Sequence, residues 1–415
     1  MDTFNRVSGH PNVMAMVMAG GEGSRLYPLT KDRAKPAVIF GGKYRIIDFV
    51  LNNFVNSGIY KIKVLTQFKA DSLIRHITGG WTLSPMLGQY VDPVPAQMRT
   101  GKNWYQGTAD AIYQNLNLIK DENPDYLAVF GADHIYKMDI SLMLKYHISN
   151  GAVATVAAIP KPIDEASAFG VIEINENGRM IGFQEKPAHP KPIPGNPEMA
   201  LCSMGNYIFT KEFIVDRLCD DADDTASSHD FGKDIIPAIY EKFPVYVYNF
   251  ANNVIPGETK EQSTYWEDVG TIEAYYRANM TLRDVIPDIN LYNSRWPIRT
   301  KAGQSAPSKF VFGSKKNEKD PRVGQAIDSL ISGECIISGS EVINSVLSRG
   351  VRVHSYSRVE DSIVFPDVEI GDRCKIRRAI IDRDVKIPAG TEIGFDIEKD
   401  RERYFVSESG IVIVS

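Results

Sequence analysis

Apolar positions fall into two regimes along this chain of 415 residues. Up to about residue 285, short β-rich runs alternate with stretches that are apolar at three- and four-residue spacing. Val13–Met18, Lys61–Gln67, Tyr126–Gly131 and Ala152–Ile159 predict buried strands. Arg45–Asn56 and Thr108–Lys120 predict helices between them, the second with Thr108 as its N-cap. Strand and helix in alternation predict an α/β domain with a mostly parallel sheet. Ligands bind such sheets beyond the carboxyl ends of the strands, which is where the glycine-rich turns fall.

A different period takes over after residue 326. Val353, Val359, Val364, Ile370, Ile376, Ile381, Ile387 and Ile393 follow one another at steps of five or six, punctuated by Gly339, Gly350, Gly371, Gly390 and Gly394. A six-residue apolar repeat predicts a β-helix, with each short strand forming one side of a triangular coil. The competing reading is a sandwich of short strands. Either arrangement leaves flat faces and open ends that commonly serve oligomer contacts. Residues 291–325 are polar and proline-bearing, as in Gln304–Ser308 and Asn317–Pro321, and read as a linker. The predicted organisation is therefore 1–290, a linker at 291–325, and 326–415.

Composition narrows the function. Apolar residues make up 43% of the chain, enough for a sizeable core. No run approaches the roughly 18 apolar residues of a membrane span. The N-terminal residues lack the basic start and apolar stretch of a signal peptide, so a cytoplasmic location is expected. A formal charge of −5 argues against nucleic acid as the main partner. Cys202, Cys219, Cys335 and Cys374 form no C-x-x-C pair and read as free thiols, and the seven histidines form no zinc motif.

The first strand runs into Gly20-Gly21-Glu22-Gly23-Ser24-Arg25-Leu26. Three glycines in four positions permit positive φ, so that successive N–H groups can face an anion, and Arg25 adds a permanent charge. Leu26 breaks the dinucleotide pattern G-x-G-x-x-G, and no Gly-Lys-Ser/Thr follows to make a P-loop. Ser228-His229-Asp230 is not a hydrolase triad, because triad members converge from separated positions. His354 is the only histidine of the repeat region and reads as structural.

Gly20-Gly21-x-Gly-Ser-Arg-Leu, followed by Pro28-Leu29-Thr30 and Arg33-Ala34-Lys35-Pro36, resembles the signature of the sugar-1-phosphate nucleotidyltransferases. Phe40–Phe49, Trp104–Ala111, Gly131–Tyr136, Phe183–Pro187, Ser228–Asp234 and Tyr265–Thr271 are similar to the branch that makes ADP-glucose. The matches run in order across almost the whole chain.

The resemblance implies a Rossmann-like nucleotidyltransferase domain followed by a left-handed parallel β-helix. It implies catalytic roles for Arg25, Lys35 and Asp133, with Asp133 and Asp268 holding Mg²⁺. Tyr105, Gly170, Glu185, Lys186 and Ser203 are implied to bind glucose 1-phosphate; Gly20, Gly21, Gly23, Gln67, Gly107 and Thr108 are implied to bind the nucleotide of ATP. It also implies a homotetramer controlled by metabolite effectors, with Arg33, Arg45 and either Arg377 or Arg378 as anion contacts.

Three residues depart from the resemblance: Glu22, Asp32 and Glu267 each place an anion where related enzymes commonly carry a cation. For Asp32 this implies weak activation by fructose 1,6-bisphosphate. Two alternatives stay open: a pyrophosphorylase for another nucleotide sugar, and a non-catalytic regulatory subunit.

Overall fold

The apolar run at the N-terminal end forms the central strand of the larger sheet in a computed structural model that describes residues 11–99, 103–311, 313 and 322–415. The segment read for a leader and the Asn317–Pro321 part of the linker therefore lie largely or wholly outside the described residues. Apart from the two-residue ribbon of Ile39–Phe40 and Tyr44–Arg45, the first domain's strands are β1 (Val13–Ala19), β2 (Lys61–Thr66), β3 (Tyr90–Pro95), β4 (Tyr126–Gly131), β5 (His134–Tyr136) and β6 (Ala154–Pro162). They continue with β7 (Gly170–Ile174), β8 (Met180–Glu185), β9 (Met199–Thr210), β10 (Val245–Asn249) and β11 (Trp266–Asp268).

The main sheet runs β8-β7-β9-β4-β1-β2-β3, with β6 also paired to β9 and β10 beside β6. β4, β1, β2 and β3 are mutually parallel. Beyond β4 the sheet turns antiparallel at β9, which pairs antiparallel with both β4 and β6, and β10 then runs parallel to β6. The sheet is thus mixed, with its parallel part centred on β1. Side-chain alternation along β1 explains its continuous apolar sequence: Val13, Ala15 and Val17 join one core and Met14 and Met16 the other.

Helix α1 (Ile46–Asn56) matches its sequence pattern closely. The second expected helix is instead two, α2 (Thr108–Tyr113) and α3 (Leu116–Glu122). The Asn115 side chain sits at the break and donates to the Ala111 carbonyl at 2.8 Å and to the Tyr105 hydroxyl at 2.9 Å. Its amide competes with the regular helical ladder at that point.

The repeat region is a three-sided parallel β-helix. Ile337, Val353, Ile370 and Ile387 stack on one side, and Val342, Val359, Ile376 and Ile393 on the second. Leu347, Val364, Ile381 and Val414 stack on the third. Each stacked side chain is at most 5% exposed and contributes roughly 1.5–3 kcal/mol of burial. The first strand of this domain is Lys309–Val311, inside the stretch expected as linker. Part of the remaining stretch is also structured: Asn52 exchanges two hydrogen bonds of 2.8 Å with the Arg299 backbone, and Trp296 is buried. The burial of a large aromatic and the pairing of backbone polar groups fix a segment whose composition reads as loop.

One core joins the two domains. Phe40, Phe49, Ile135 and Tyr275 pack with Val346, Ile363, Phe365, Ile380 and Ile413 of the β-helix. Arg33 closes the edge of this junction with two bonds to Asp382, at 2.8 and 3.0 Å. Among the described residues no helix is long and apolar enough to cross a membrane.

Candidate active site

The carboxyl ends of β1, β2 and β4 open into a cleft of about 870 Å³. The glycine loop leaves β1 and closes into a single tight turn, Ser24–Leu26. Only Gly23 uses the left-handed freedom expected of all three glycines, with φ of 66°. A Cβ at Gly23 would also lie 2.9 Å from the Lys35 Cβ, so its bareness lets the lysine stem pass against the loop. Gly20 and Gly21 line the cleft without needing positive φ. Arg25 is largely exposed at the mouth, 3.8 Å from Asp268.

The small antiparallel ribbon of β5 and β11 assembles the charged centre. Its register sets Asp268 opposite His134, next to Asp133. The Lys35 ammonium bridges the two carboxylates, 3.0 Å from Asp133 Oδ2 and 2.8 Å from Asp268 Oδ1. Burial opposes its charge, but the two carboxylates outweigh burial and hold its pKa above the ordinary lysine value. Burial likewise opposes the Asp133 carboxylate, yet His134 and Lys35 hold it well below the usual range. Ligand atoms of Asp133, His134 and Asp268 lie within 4.8 Å of one another. Two carboxylates around a resident cation form a hard oxygen donor set, which fits Mg²⁺.

The far side of the cleft carries the predicted sugar residues. Gly170 and Glu185 pair across the β7–β8 hairpin, and Ser203 lies on β9. A Cβ on Gly170 would come within 2.6 Å of the Phe183 ring, which would have to shift to admit it. Lys186 has φ of 46°, uncommon for a side chain of its size, directly after β8. Burial, partly offset by Lys186, raises the Glu185 pKa. Tyr105 is positioned from both ends: its N–H donates to Gln67 Oε1 at 2.9 Å, and Asn115 holds its hydroxyl. All of these side chains line the same cleft, with Gln67, Gly107 and Thr108.

Several expectations need correction. Gly107, not Thr108, is the N-cap of α2. The Thr108 hydroxyl instead donates to Asp230 Oδ2 and accepts from the Phe231 N–H, both at 3.0 Å, tying α2 to the loop before Phe231. Glu267 does not line the cleft; strand alternation turns it away from Asp268 into an ion pair with Arg277. Glu22 is exposed and does not line the cleft. Arg383 is a β-helix arginine close enough to act on Arg45, whose pKa is lowered to about 10 by burial, against Asp48 and with Arg33, Arg383 and Arg75. Arg377 instead lies over the Phe395 ring, and Arg378 donates to the Ser409 carbonyl.

Sequence reasoning missed Asp230, which lines the cleft, accepts from the Gly232 and Lys233 N–H groups and anchors Thr108. Its signal lay in Ser228–Asp234, where Asp230 precedes the N–H groups of Gly232 and Lys233 that it accepts from. His229 pairs with Asp221 at 2.8 Å and Ser228 with Asp234 at 2.6 Å, so no triad forms. His354 pairs with Glu369, and three of the four free cysteines are buried.

Comparison with known proteins agrees with this geometry. Residues 14–285 match the nucleotidyl transferase family, and residues 306–414 match the GlmU-like C-terminal hexapeptide family. The chain is 57% identical over 403 residues to a glucose-1-phosphate adenylyltransferase of Anaeromyxobacter sp. strain Fw109-5. It is 50% identical to the enzyme of that name from Corynebacterium jeikeium strain K411, and 49% identical to glucose-1-phosphate adenylyltransferase 1 of Vibrio parahaemolyticus. Each alignment covers 97% of both chains. With a nucleotidyltransferase cleft, a hexapeptide β-helix and near full-length identity of this order, the chain belongs to the glucose-1-phosphate adenylyltransferase family.

Proposed function

We propose that this chain forms ADP-glucose and pyrophosphate from ATP and glucose 1-phosphate. The observation that carries the reading is one cleft lined both by the glycine loop, Lys35, Asp133 and Asp268 and by Glu185, Lys186, Tyr105 and Ser203. A sugar-phosphate oxygen attacks the α-phosphorus of ATP in line, and pyrophosphate leaves. Both reactants are anions, so the protein's task is to cancel repulsion and align them. Arg25 and the loop N–H groups hold the nucleotide phosphates, and Lys186 holds the sugar phosphate. Glu185 accepts from sugar hydroxyls. Gln67 spends its carbonyl on the Tyr105 N–H, which leaves its amide hydrogens for the base. Asp133 and Asp268 would hold Mg²⁺, which supplies charge neutralisation at the reacting phosphates.

Regulation by anionic metabolites is part of the proposal. Arg33, Arg45, Arg75 and Arg383 gather where the catalytic domain meets the β-helix, and such a group suits a phosphorylated effector. We place the enzyme in the cytoplasm as a homotetramer.

Pyrophosphate release with glucose 1-phosphate and each of ATP, UTP, dTTP and GTP tests the reading. Turnover with ATP, nearly abolished in a folded Asp133→Asn variant, is expected. Preference for another nucleotide would make the chain a different pyrophosphorylase, and no turnover with any would leave a regulatory subunit.

A further inference from the structure

Every oxygen of the two central carboxylates already faces a nitrogen of this chain. Lys35 takes Asp133 Oδ2 and Asp268 Oδ1, at 3.0 and 2.8 Å. His134 Nε2 lies 3.4 Å from Asp133 Oδ1, and Arg25 lies 3.8 Å from Asp268 Oδ2. These contacts are unequal. Arg25 is loose and exposed, whereas Lys35 is only 5% exposed.

A divalent ion held by both carboxylates would compete with the ammonium that now lies between them. Two cations cannot share that position without strong repulsion in a partly desolvated cleft. The ammonium also has somewhere to go. The Lys35 stem packs against Gly23, in contact with the loop that the phosphate reading gives to the nucleotide. Rotation about the bonds of this flexible side chain would carry its charge from the carboxylates towards an anion on that loop.

We infer that Lys35 is the resident counter-ion of the metal site, neutralising Asp133 and Asp268 until nucleotide phosphates draw it away, so that the chain takes up a divalent ion only together with nucleotide. This inference rests on the assignment of Asp133 and Asp268 as metal carboxylates. It gives Lys35 two successive partners in one cycle and makes metal and nucleotide binding reciprocally cooperative, since linkage is symmetric. It also accounts for a lysine buried this deeply beside a phosphate loop, where an exposed one would serve a phosphate equally well.

The test is Mn²⁺ binding to the nucleotide-free protein, read by the loss of the free-ion paramagnetic resonance signal. Lys35→Met and Lys35→Gln are expected to bind Mn²⁺ at least tenfold more tightly than the unaltered chain. Mn²⁺ should raise the melting temperature of these variants more than that of the unaltered chain. Adding Asp133→Asn to Lys35→Met should erase the gain. Unchanged or weaker Mn²⁺ binding in both folded lysine variants, with Asp133→Asn still weakening Mn²⁺ binding in the presence of ATP, overturns the inference alone. A gain that survives Asp133→Asn puts the ion elsewhere and overturns the carboxylate assignment as well.

Discussion

Replacing Asp382 by asparagine strands a buried guanidinium at the junction of the two domains. Arg33 and Asp382 are joined by two near-parallel bonds of 2.8 and 3.0 Å, with side chains only 7% and 11% exposed. At an effective dielectric of about 20, opposite unit charges about 4 Å apart attract by roughly 4 kcal/mol. Desolvation of both groups offsets most of that gain while the pair is intact. Removing one partner loses the attraction but leaves the other group's desolvation cost, so Asp382→Asn should destabilise by about 3–5 kcal/mol. The Arg33→Met/Asp382→Leu double variant removes both charges and should recover most of the loss. Urea denaturation followed by separate probes of sheet and β-helix measures each variant, since a two-domain chain need not unfold in one step. An Asp382→Asn protein within 1 kcal/mol of the unaltered chain (about the worth of an exposed pair) would refute the reasoning. So would a double variant that is no better than the single one.

Other outcomes follow from the cleft and core. Lys186→Ala should raise KM for glucose 1-phosphate far more than KM for ATP in steady-state assays; an equal effect on both would count against its sugar-phosphate role. Gly107→Ala should impair activity, because the new Cβ would lie 2.2 Å from the His229 carbonyl oxygen and push away the loop that holds Asp230. Crystallography of that variant should find residues 228–231 displaced. His147 is fully buried beside Thr155, and burial lowers its pKa from 6.5 to about 4. The unfolded chain therefore binds more protons between those values, and stability falls with falling pH, by about 2 kcal/mol at pH 5 relative to pH 7. Urea titrations of the unaltered chain and His147→Gln should diverge across that range. Because Asp32 is exposed close to Arg33, fructose 1,6-bisphosphate should activate weakly, and saturable strong activation would contradict this.

The chain's own pattern determined a good deal. Alternation along Val13–Ala19 follows from a strand buried on both faces. The eight repeat residues Val353, Val359, Val364, Ile370, Ile376, Ile381, Ile387 and Ile393 lie inside the coil, because a five- or six-residue step fills one side of a triangle whatever its surroundings. The glycine-rich turn after β1 was legible for a similarly local reason, since Gly23 takes the left-handed φ of 66° that glycine permits. Thr108 misled because a side chain that can cap a helix can equally bond a distant loop, and Asp230 lies 122 residues away. That Arg377 lies over the Phe395 ring and Arg378 donates to the Ser409 carbonyl could not be read locally, since adjacent corners of a coil point in different directions. Only the pairing of β5 with β11 brought Asp133 to Asp268, and only the closeness of Gly23 to Lys35 set an ammonium between them. Local sequence dictates which face of an element is buried. Which charges then meet depends on how separate elements dock, and that is decided by the summed packing of the whole molecule.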